Sequence, residues 1–332
     1  MVVLELMRTV ERLSEGGTTE ISISSADELT LVQQWCEKTG NTVISTVMVN
    51  GDAGSATISR GHPINPASML PADRLPGARL WLYTNFNCNL SCDYCCVGSG
   101  PKVEKRELGV ERIDSLVREA ADWGVREVYL TGGEPFLLPN IGEIVKNCVA
   151  IMPTTLLTNG MLFRGHGLTQ LKSMPREGFA LQISIDSATD EIHDSHRGKG
   201  SWARAIAGIQ VAMAEGFRVR VAATIASTQD LQLDVLHDFF DGLGIPREDQ
   251  IIRPVAAQGV ADDGVLFTRE SVVPEVTVTA EGVYWHPVAA TDDQALVTTQ
   301  IEPLAPALNE ITRLFNKQWA ANAAATSLFV CA

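Results

Sequence analysis

The sequence lacks the features that would direct the chain to a membrane, to an export pathway or onto a nucleic acid. A formal net charge of −14 over 332 residues provides no basic footprint for a polyanionic partner. No apolar run is long enough to span a membrane, and the first eight residues show no basic start followed by an apolar stretch, as a signal peptide would. We therefore expect a cytoplasmic protein with no nucleic-acid partner and no membrane partner.

The cysteines are few, odd in number and unevenly placed. Of the seven in the chain, three fall close together as Cys88, Cys92 and Cys95, with the spacing C-x3-C-x2-C. Such usage suits a reducing compartment better than a disulfide framework. Three neighbouring thiolates can hold three irons of a cubane [4Fe–4S] cluster, which leaves the fourth iron open to a small molecule.

A structural zinc site is the alternative interpretation of these cysteines. Zinc needs four ligands, usually in two pairs, and the sequence has no second C-x2-C and no H-x3-H. Cys96 follows Cys95 directly, so it is poorly placed to reach the same metal. The spacing alone keeps zinc open, and the rest of the chain favours the iron–sulfur cluster.

The chain is long enough for a large core and two domains, and its composition is that of a soluble globular protein. Residues 1–60 are predicted to form a small two-layer α/β domain, in the order helix, strand, helix, strand, strand. A capping box from Ser25 to Glu28 begins its second helix, and residues 50–52 carry a hairpin signal. Four prolines mark residues 61–78 as a linker.

From Arg79 onward, strands alternate with helices. Strands are predicted near 79–84, 127–131, 153–158, 180–185, 218–225 and 250–254. Two of the helices have predicted apolar faces: Val110, Ile113, Val117 and Ala120 on one, and Trp202, Ile206, Ile209 and Met213 on the other.

Six such units imply a parallel sheet with helices outside. The segment is shorter than the ~250 residues of a full eight-fold barrel, so we expect an open, partial (β/α)6 TIM-like barrel over residues 79–262. Residues 263–332 are predicted to be a short C-terminal extension of one hairpin and one helix.

Polar and glycine-rich motifs follow most of these strands. They are the cysteine loop after the first strand, Thr131–Pro135 after the second, Thr158–Gly160 after the third, Ser184–Asp186 after the fourth and Arg253–Pro254 after the sixth. Because ligands gather at the carboxyl ends of parallel strands, these motifs predict one shared site.

Two of the motifs together resemble a known superfamily. C-x3-C-x2-C with Tyr94 before the third cysteine, followed about forty residues later by Gly132-Gly133-Glu134-Pro135, is similar to the pattern of radical S-adenosylmethionine (SAM) enzymes. The resemblance covers residues 79–255. It implies that Cys88, Cys92 and Cys95 ligate a [4Fe–4S] cluster whose open iron binds the amino and carboxylate groups of SAM.

The resemblance also implies a set of SAM contacts around the cluster. The Tyr94 backbone is expected to contact the adenine, and Ser184 and Asp186 the ribose hydroxyls. Gly132, Gly133 and Glu134, in the motif that ends with Pro135, are expected to hold the methionine ammonium. Arg197 is expected to face the methionine carboxylate, and Asn159 is expected to be a polar contact near the cluster. No general acid or base is assigned.

The chemistry that the resemblance implies is hydrogen abstraction. A one-electron donor such as flavodoxin or ferredoxin reduces the cluster, the cluster cleaves SAM, and the 5′-deoxyadenosyl radical takes a hydrogen from the substrate. The tail from Val273 to Pro287 is similar to the start of the truncated SPASM- or twitch-like extension of peptide-modifying members. Such members often carry an auxiliary-cluster cysteine near the position of His286, which this chain lacks.

Outside the main motif, the cysteines on helices are interpreted as structural. Cys36 and Cys148 lie on apolar helix faces, which predicts core positions. His286 and Cys331 are either a remnant site or unrelated, and an ordinary partly buried histidine is the favoured interpretation of His286.

The first sixty residues resemble a TusA-like sulfur-carrier fold without its Cys-Pro-x-Pro motif. This predicts a docking or substrate-binding role for the domain rather than sulfur transfer. Either Met1 is a misassigned start, or the domain has lost its first strand together with the cysteine; loss is the favoured expectation.

The overall interpretation is a radical SAM enzyme acting on a ribosomally made peptide or protein, or on a small sulfur-linked metabolite. A non-catalytic metal-binding interaction protein is the alternative of a different class.

Overall fold

A computed structural model describes residues 2–10, 12–49, 53–61, 70–225 and 233–326. The chain divides into two compact units, one comprising residues 1–72 with 313–332 and the other residues 73–312. The predicted turn at residues 50–52, residues 62–69 of the predicted linker and Cys331 lie outside the described residues. None of the helices in the described ranges is both long and apolar enough to cross a membrane.

The N-terminal unit contains the five elements predicted for it. In chain order they are α1 (Val2–Val10), β1 (Thr18–Ile23), α2 (Ala26–Thr39), β2 (Thr42–Val49) and β3 (Ala53–Ser59). The strands form an antiparallel sheet in the order β1-β3-β2. Likeness to a sulfur carrier remains a prediction.

Local signals in the sequence fix α2 and its packing. The Ser25 hydroxyl accepts a hydrogen bond from the Glu28 N–H at 3.2 Å, and Gly40 ends the helix at φ 72°, a conformation that a glycine adopts without strain. Val32 and Cys36 are buried against Ile58 in one apolar cluster. The prediction that Cys36 is a core residue is confirmed.

The second unit is built on six parallel strands that follow one another in the sheet. They are β4 (Arg79–Tyr83), β5 (Glu127–Thr131), β6 (Thr154–Thr158), β7 (Phe179–Ser184), β8 (Arg218–Ile225) and β9 (Gln250–Pro254). Each end lies within one residue of its prediction. The expected fold, an open partial (β/α)6 barrel, is confirmed.

Helices fill the connections between these strands. They are α3 (Val110–Trp123), α4 (Ile141–Val149), α5 (His166–Ser173), α6 (Asp190–Arg197), α7 (Ser201–Ala214) and α8 (Leu233–Gly242). The face of α3 is as predicted at Ile113, Val117 and Ala120, which are buried. On α4, Cys148 is buried beside Val145, so its predicted place in the core is confirmed.

The C-terminal segment extends the barrel sheet. It contains β10 (Val276–Val278), β11 (Val283–Tyr284), β12 (Leu296–Thr298) and α9 (Ala305–Thr326). The predicted hairpin is present as β10 and β11, but β10 also pairs in parallel with β4, which gives the sheet order β12-β11-β10-β4-β5-β6-β7-β8-β9. Pairing with β10 covers an edge of β4 that would otherwise be open.

The predicted apolar face of α7 is wrong. Met213 is exposed and Trp202 and Ile206 are only half-buried, whereas the buried stripe runs through Ala205, Gly208, Ile209 and Ala212. Small residues dominate because α7 packs closely on the loop after β6: a Cβ on Gly208 would lie 2.1 Å from the Gly160 carbonyl oxygen. Close backbone approach, rather than side-chain hydrophobicity, selects the buried face.

This close approach generates a stability prediction for Gly208→Ala. The added methyl meets backbone atoms that cannot move aside, so we expect overpacking to cost about 1–3 kcal/mol of unfolding free energy. Gly242→Ala at the end of α8 is the matched control, because nothing lies within 4 Å of its Cβ position. Urea unfolding followed by circular dichroism measures both, and equal midpoints for the two variants would contradict the packing described.

Candidate active site at the carboxyl ends of the strands

The six parallel strands surround a cavity of about 380 Å³. Every one of them contributes inward side chains to its wall, for example Trp81 from β4, Tyr129 from β5 and Leu157 from β6. Residues of all five predicted motifs line the same space at the carboxyl ends of the strands. The predicted convergence of these motifs on one site is therefore present.

The cysteine loop forms one side of this cavity, and all three predicted ligands line it. Cys88, Cys92 and Cys95 carry free thiols. Backbone N–H groups point at two of the sulfurs, from Leu90 to Cys88 Sγ at 3.4 Å and from Ser99 to Cys95 Sγ at 3.3 Å. Such donors stabilise a thiolate once it coordinates a metal.

The chemistry of the donor set fits a cluster held by three cysteines. Burial raises the pKa of Cys88 to about 12 and that of Cys92 to about 11, so metal binding would have to displace both protons. Within the described ranges, no three His, Cys, Asp or Glu side chains gather as ligands of one metal ion. A cubane asks instead for three thiolates on three separate irons.

Gly132 and Gly133 lie directly against the segment that leads into the cysteine loop. A Cβ on Gly132 would stand 2.5 Å from the Asn85 carbonyl oxygen, and one on Gly133 would stand 2.2 Å from that of Asn87. The Gly133 N–H donates to the Asn85 carbonyl at 2.9 Å. The protein itself thus requires glycine at both positions, and their contact with the methionine ammonium stays a prediction.

The Glu134 side chain faces the protein interior rather than the cavity. Its carboxylate is fully buried and accepts hydrogen bonds from Thr158 Oγ1 at 2.7 Å, the Asn159 N–H at 2.8 Å and the Phe136 N–H at 3.0 Å. Burial raises its pKa, and these three donors oppose that shift. Glu134 ties the end of β5 to the end of β6, and Pro135 begins a buried 3-10 turn beside it.

Asn159 connects the end of β6 to the cysteine loop. Its Nδ2 donates to Asn89 Oδ1 at 2.8 Å, and its Oδ1 accepts from the Met161 N–H at 3.0 Å. The side chain lines the cavity within reach of the loop. Asn159 thus lies beside the cysteine loop, as predicted, while its role as a contact near the cluster stays a prediction.

Asp186 lies at the centre of a buried polar cluster. It accepts hydrogen bonds from Arg197 Nε at 2.6 Å and Nη2 at 3.1 Å, from the Thr224 N–H at 3.0 Å and from the Tyr94 hydroxyl. Burial works to raise its pKa, but the Arg197 guanidinium holds it below the ordinary value. His193 Nδ1 accepts from the Asp186 N–H at 3.1 Å.

This cluster changes how the predicted SAM contacts are distributed. The Asp186 carboxylate is occupied inside the wall, and it takes two of the Arg197 donors, although Arg197 still lines the cavity. Tyr94 reaches Asp186 with its side chain, and the Arg197 guanidinium lies 5.5 Å from its ring centroid. Ser184 lines the cavity and forms no hydrogen bond through its hydroxyl in the described part of the chain, so it is the freer ribose candidate.

Some residues of the cavity wall were missed by motif reasoning. Gln182 and Arg220 project inward from β7 and β8. The alternation of side chains along each strand could have found them, because inward positions repeat every second residue. His286 also reaches the wall, where its Nδ1 accepts from the Val288 N–H at 3.2 Å, and burial lowers its pKa to about 4.

Loss of the Asp186 carboxylate should lower the free energy of unfolding. Asp186→Asn leaves the buried Arg197 guanidinium without its counter-charge, so we expect a loss of about 3–5 kcal/mol of unfolding free energy at neutral pH. Because the folded pKa of Asp186 is depressed, the wild-type advantage should be present above the unfolded value and disappear as the pH falls through the folded one. Asp93→Asn is the control, because its pair with His196 is exposed and should contribute at most about 1 kcal/mol. Similar losses of unfolding free energy in the two variants would show that Asp186 is not the centre of a buried polar cluster.

Comparison with known proteins agrees with this geometry. Residues 82–228 match the family model of the radical SAM superfamily. The subtilosin biosynthesis protein AlbA of Bacillus subtilis, an antilisterial bacteriocin biosynthesis protein, is 37% identical over 143 residues, which are 42% of this chain and 31% of AlbA. The AdoMet-dependent heme synthase of Methanosarcina barkeri is 31% identical over 160 residues, covering 48% of this chain and 45% of that protein.

A solved structure supports the fold. The crystal structure of Streptococcus suis SuiB bound to its precursor peptide SuiA superposes with a TM-score of 0.50 at 20% identity, covering 60% of this chain and 44% of SuiB. The matched regions span less than half the length of each of these proteins. The cofactors of the superfamily are a [4Fe–4S] cluster and S-adenosylmethionine. The chain carries a domain of the radical SAM superfamily.

Proposed function

We propose that this protein is a radical SAM enzyme that abstracts hydrogen from a substrate held in the barrel cavity. The observation that carries the proposal is the meeting of three free thiols and the Gly132–Gly133 segment at one end of a single cavity. Cys88, Cys92 and Cys95 would hold the cluster. Bound cluster and SAM supply a one-electron cleavage that yields a carbon radical, for which an outside reductant such as flavodoxin or ferredoxin provides the electron.

The residues of this chain would orient SAM and keep water out. Arg197 lies at the cavity wall, where it can face the carboxylate of the methionine moiety, and Ser184 offers a free hydroxyl for the ribose. Trp81 and Tyr129 stack with ring centroids 4.3 Å apart and, together with Leu157, form an apolar side of the cavity. A dry wall protects a radical from side reactions and aims one C–H bond at it.

The substrate class we favour is a ribosomally made peptide or protein. It is supported by the name of the Bacillus relative, which assigns that protein to bacteriocin biosynthesis. A small molecule is the second candidate, favoured by the name of the Methanosarcina relative, a heme synthase. The neighbouring genes discriminate between them, since a short precursor-peptide gene beside this one would favour the peptide.

Iron content tests the cluster assignment. Anaerobically reconstituted protein should bind about four irons per chain, as one cubane requires, and the triple variant Cys88→Ala, Cys92→Ala, Cys95→Ala should bind almost none. Cys96→Ala is the matched control, since it removes the adjacent thiol and should keep its iron. Full iron in the triple variant would refute the ligand set, and zinc in place of iron would favour the non-catalytic alternative.

SAM binding tests the strand-end contacts separately from the cluster. Reduced protein should release 5′-deoxyadenosine and methionine slowly without substrate. Ser184→Ala should weaken SAM binding about two- to tenfold, the loss of one hydrogen bond, and leave the iron content unchanged. Ser173→Ala, at an exposed serine of α5, is the control. Equal SAM affinity in wild type and Ser184→Ala, measured by equilibrium dialysis, would remove Ser184 from the ribose site.

A further inference from the structure

The cavity wall concentrates positive charge in an acidic chain. The protein has 40 acidic and 26 basic residues, yet its cavity is lined by five arginines and a single carboxylate. The arginines are Arg74, Arg79, Arg197, Arg220 and Arg253, and the carboxylate is Glu275. Such a lining favours an anionic ligand.

Three of these arginines are already neutralised. Arg197 pairs with Asp186, and Arg74 and Arg79 lie 3.5 Å and 3.6 Å from Glu275. The remaining two are Arg220, which shares the Asp249 carboxylate with Arg218, and Arg253. Arg253 has no ion pair among the described residues and lies at the wider, exposed end of β9.

Arg220 is buried deeper in the barrel and is poorly satisfied there. Its Nη1 donates to the Tyr129 hydroxyl at 3.3 Å, while its buried Nε has no hydrogen-bond partner. Asp249 is 3.6 Å from that Nε, but it is occupied by Arg218, which donates to it at 2.6 Å and 3.0 Å. Most of the five N–H donors of Arg220 are thus unused by the described part of the protein.

Gln182 lies beside Arg220 and is unsatisfied as well. The two residues are direct neighbours across β7 and β8. Gln182 is 3% exposed and lines the cavity, its side chain forms no hydrogen bond in the described ranges, and its Oε1 is completely buried. A buried amide without a partner costs about 1–3 kcal/mol. The Gln182 Oε1 can only accept, whereas its Nε2 amide can donate to a ligand.

The pair lies below the proposed SAM site. Gln182 precedes Ser184 by two residues on the inward face of β7, and Arg220 is at the same level on β8. Two residues of strand correspond to about 7 Å. A group bound there would lie deeper in the barrel than the ribose contact.

Apart from the Asp249 carboxylate, which Arg218 engages, the groups that face this level can donate hydrogen bonds. They are the Arg220 guanidinium, the Gln182 amide and the Tyr129 hydroxyl, and burial raises the pKa of Tyr129, so it keeps its proton. Planar donors beside a guanidinium fork match the two oxygens of a carboxylate. We propose that Gln182 and Arg220 form a subsite that binds a carboxylate of the substrate, such as an acidic side chain or a C-terminus of a peptide.

The inference rests on the proposed function and names the chemistry of its substrate. The test uses a minimal probe, N-acetylglutamate blocked at its α-carboxyl group as the methylamide, with N-acetylglutamine blocked in the same way as the uncharged match. Binding is measured by saturation-transfer difference NMR on the oxidised, reconstituted protein in the presence of saturating SAM. We expect the glutamate probe to bind and the glutamine probe to bind much more weakly.

The variants are Arg220→Gln, Arg220→Lys and Gln182→Leu. Arg220→Gln should weaken probe binding about tenfold or more, because a hydrogen bond to a charged group is lost. Arg220→Lys should weaken it less, since the charge remains without the fork, and Gln182→Leu should weaken it while keeping the side-chain volume. Arg112→Gln is the control, because Arg112 lies on the exposed side of α3 and pairs with Glu302 at 3.3 Å.

Two further measurements separate failure of the subsite from failure of folding or of the proposed function. Iron content and uncoupled SAM cleavage are measured on every variant, so loss of either identifies failure of folding or of the proposed function. Equal binding of the two probes, or of the glutamate probe to wild type and Arg220→Gln, would overturn the subsite. Weakened SAM binding in Arg220→Gln would assign Arg220 to SAM and overturn it too. Displacement of the probe by inorganic phosphate at lower concentration than by free glutamate would make the subsite one for phosphate and contradict the carboxylate.

Discussion

The buried bond between Asp186 and Arg197 is the interaction on which the rest of the site depends. Asp186 lies two residues after β7, Arg197 ends α6, Thr224 belongs to β8 and Tyr94 belongs to the cysteine loop. Four segments far apart in sequence therefore meet at one carboxylate. A buried charge of this kind is tolerated only where it is fully paired, so the geometry of all four segments is coupled.

Side-chain hydrogen bonds of three asparagines hold the other side of the cysteine loop. Asn85, Asn87 and Asn89 occupy alternate positions ahead of and within the loop, and their side chains bond the Glu134 carbonyl at 3.1 Å, the Val103 carbonyl at 2.8 Å and the Asn159 amide at 2.8 Å. The loop that carries the three free thiols has an irregular backbone, but the strands beside it are regular and support it. A cofactor site needs such support, because a loosely held ligand set binds poorly.

The sequence predicts most accurately those features that depend only on neighbouring residues, such as strand bounds and motif spacing. The six strands were predicted to within one residue because buried parallel strands are short apolar runs with turn signals at both ends. The cysteine and Gly-Gly motifs were found by spacing. The buried face of α7 was predicted wrongly. Gly208 is required there by its backbone contact with Gly160, and the spacing of apolar residues along a helix does not reveal such a contact.

The direction of side chains at the site was the least predictable feature. Glu134 and Asp186 looked like ligand contacts because polar residues at strand ends usually face the site. In the structure both carboxylates accept hydrogen bonds from backbone N–H groups within the wall, and Asp186 also pairs with the buried Arg197. Their contacts with SAM stay predictions. Arg220 and Gln182 belong to no motif. Alternation along their strands indicates that they face inward, and the curvature of the sheet brings them into the cavity that the cysteines line.

The central claim is that three cysteines hold a cluster with one iron open to SAM. Electron paramagnetic resonance of the reduced protein, with SAM labelled by ¹⁵N at its amino group and ¹⁷O at its carboxylate, tests it most directly. The account predicts a reduced-cluster signal whose hyperfine structure shows coupling to both labels, since both groups would bind the open iron. A reduced cluster that shows coupling to neither label would contradict it.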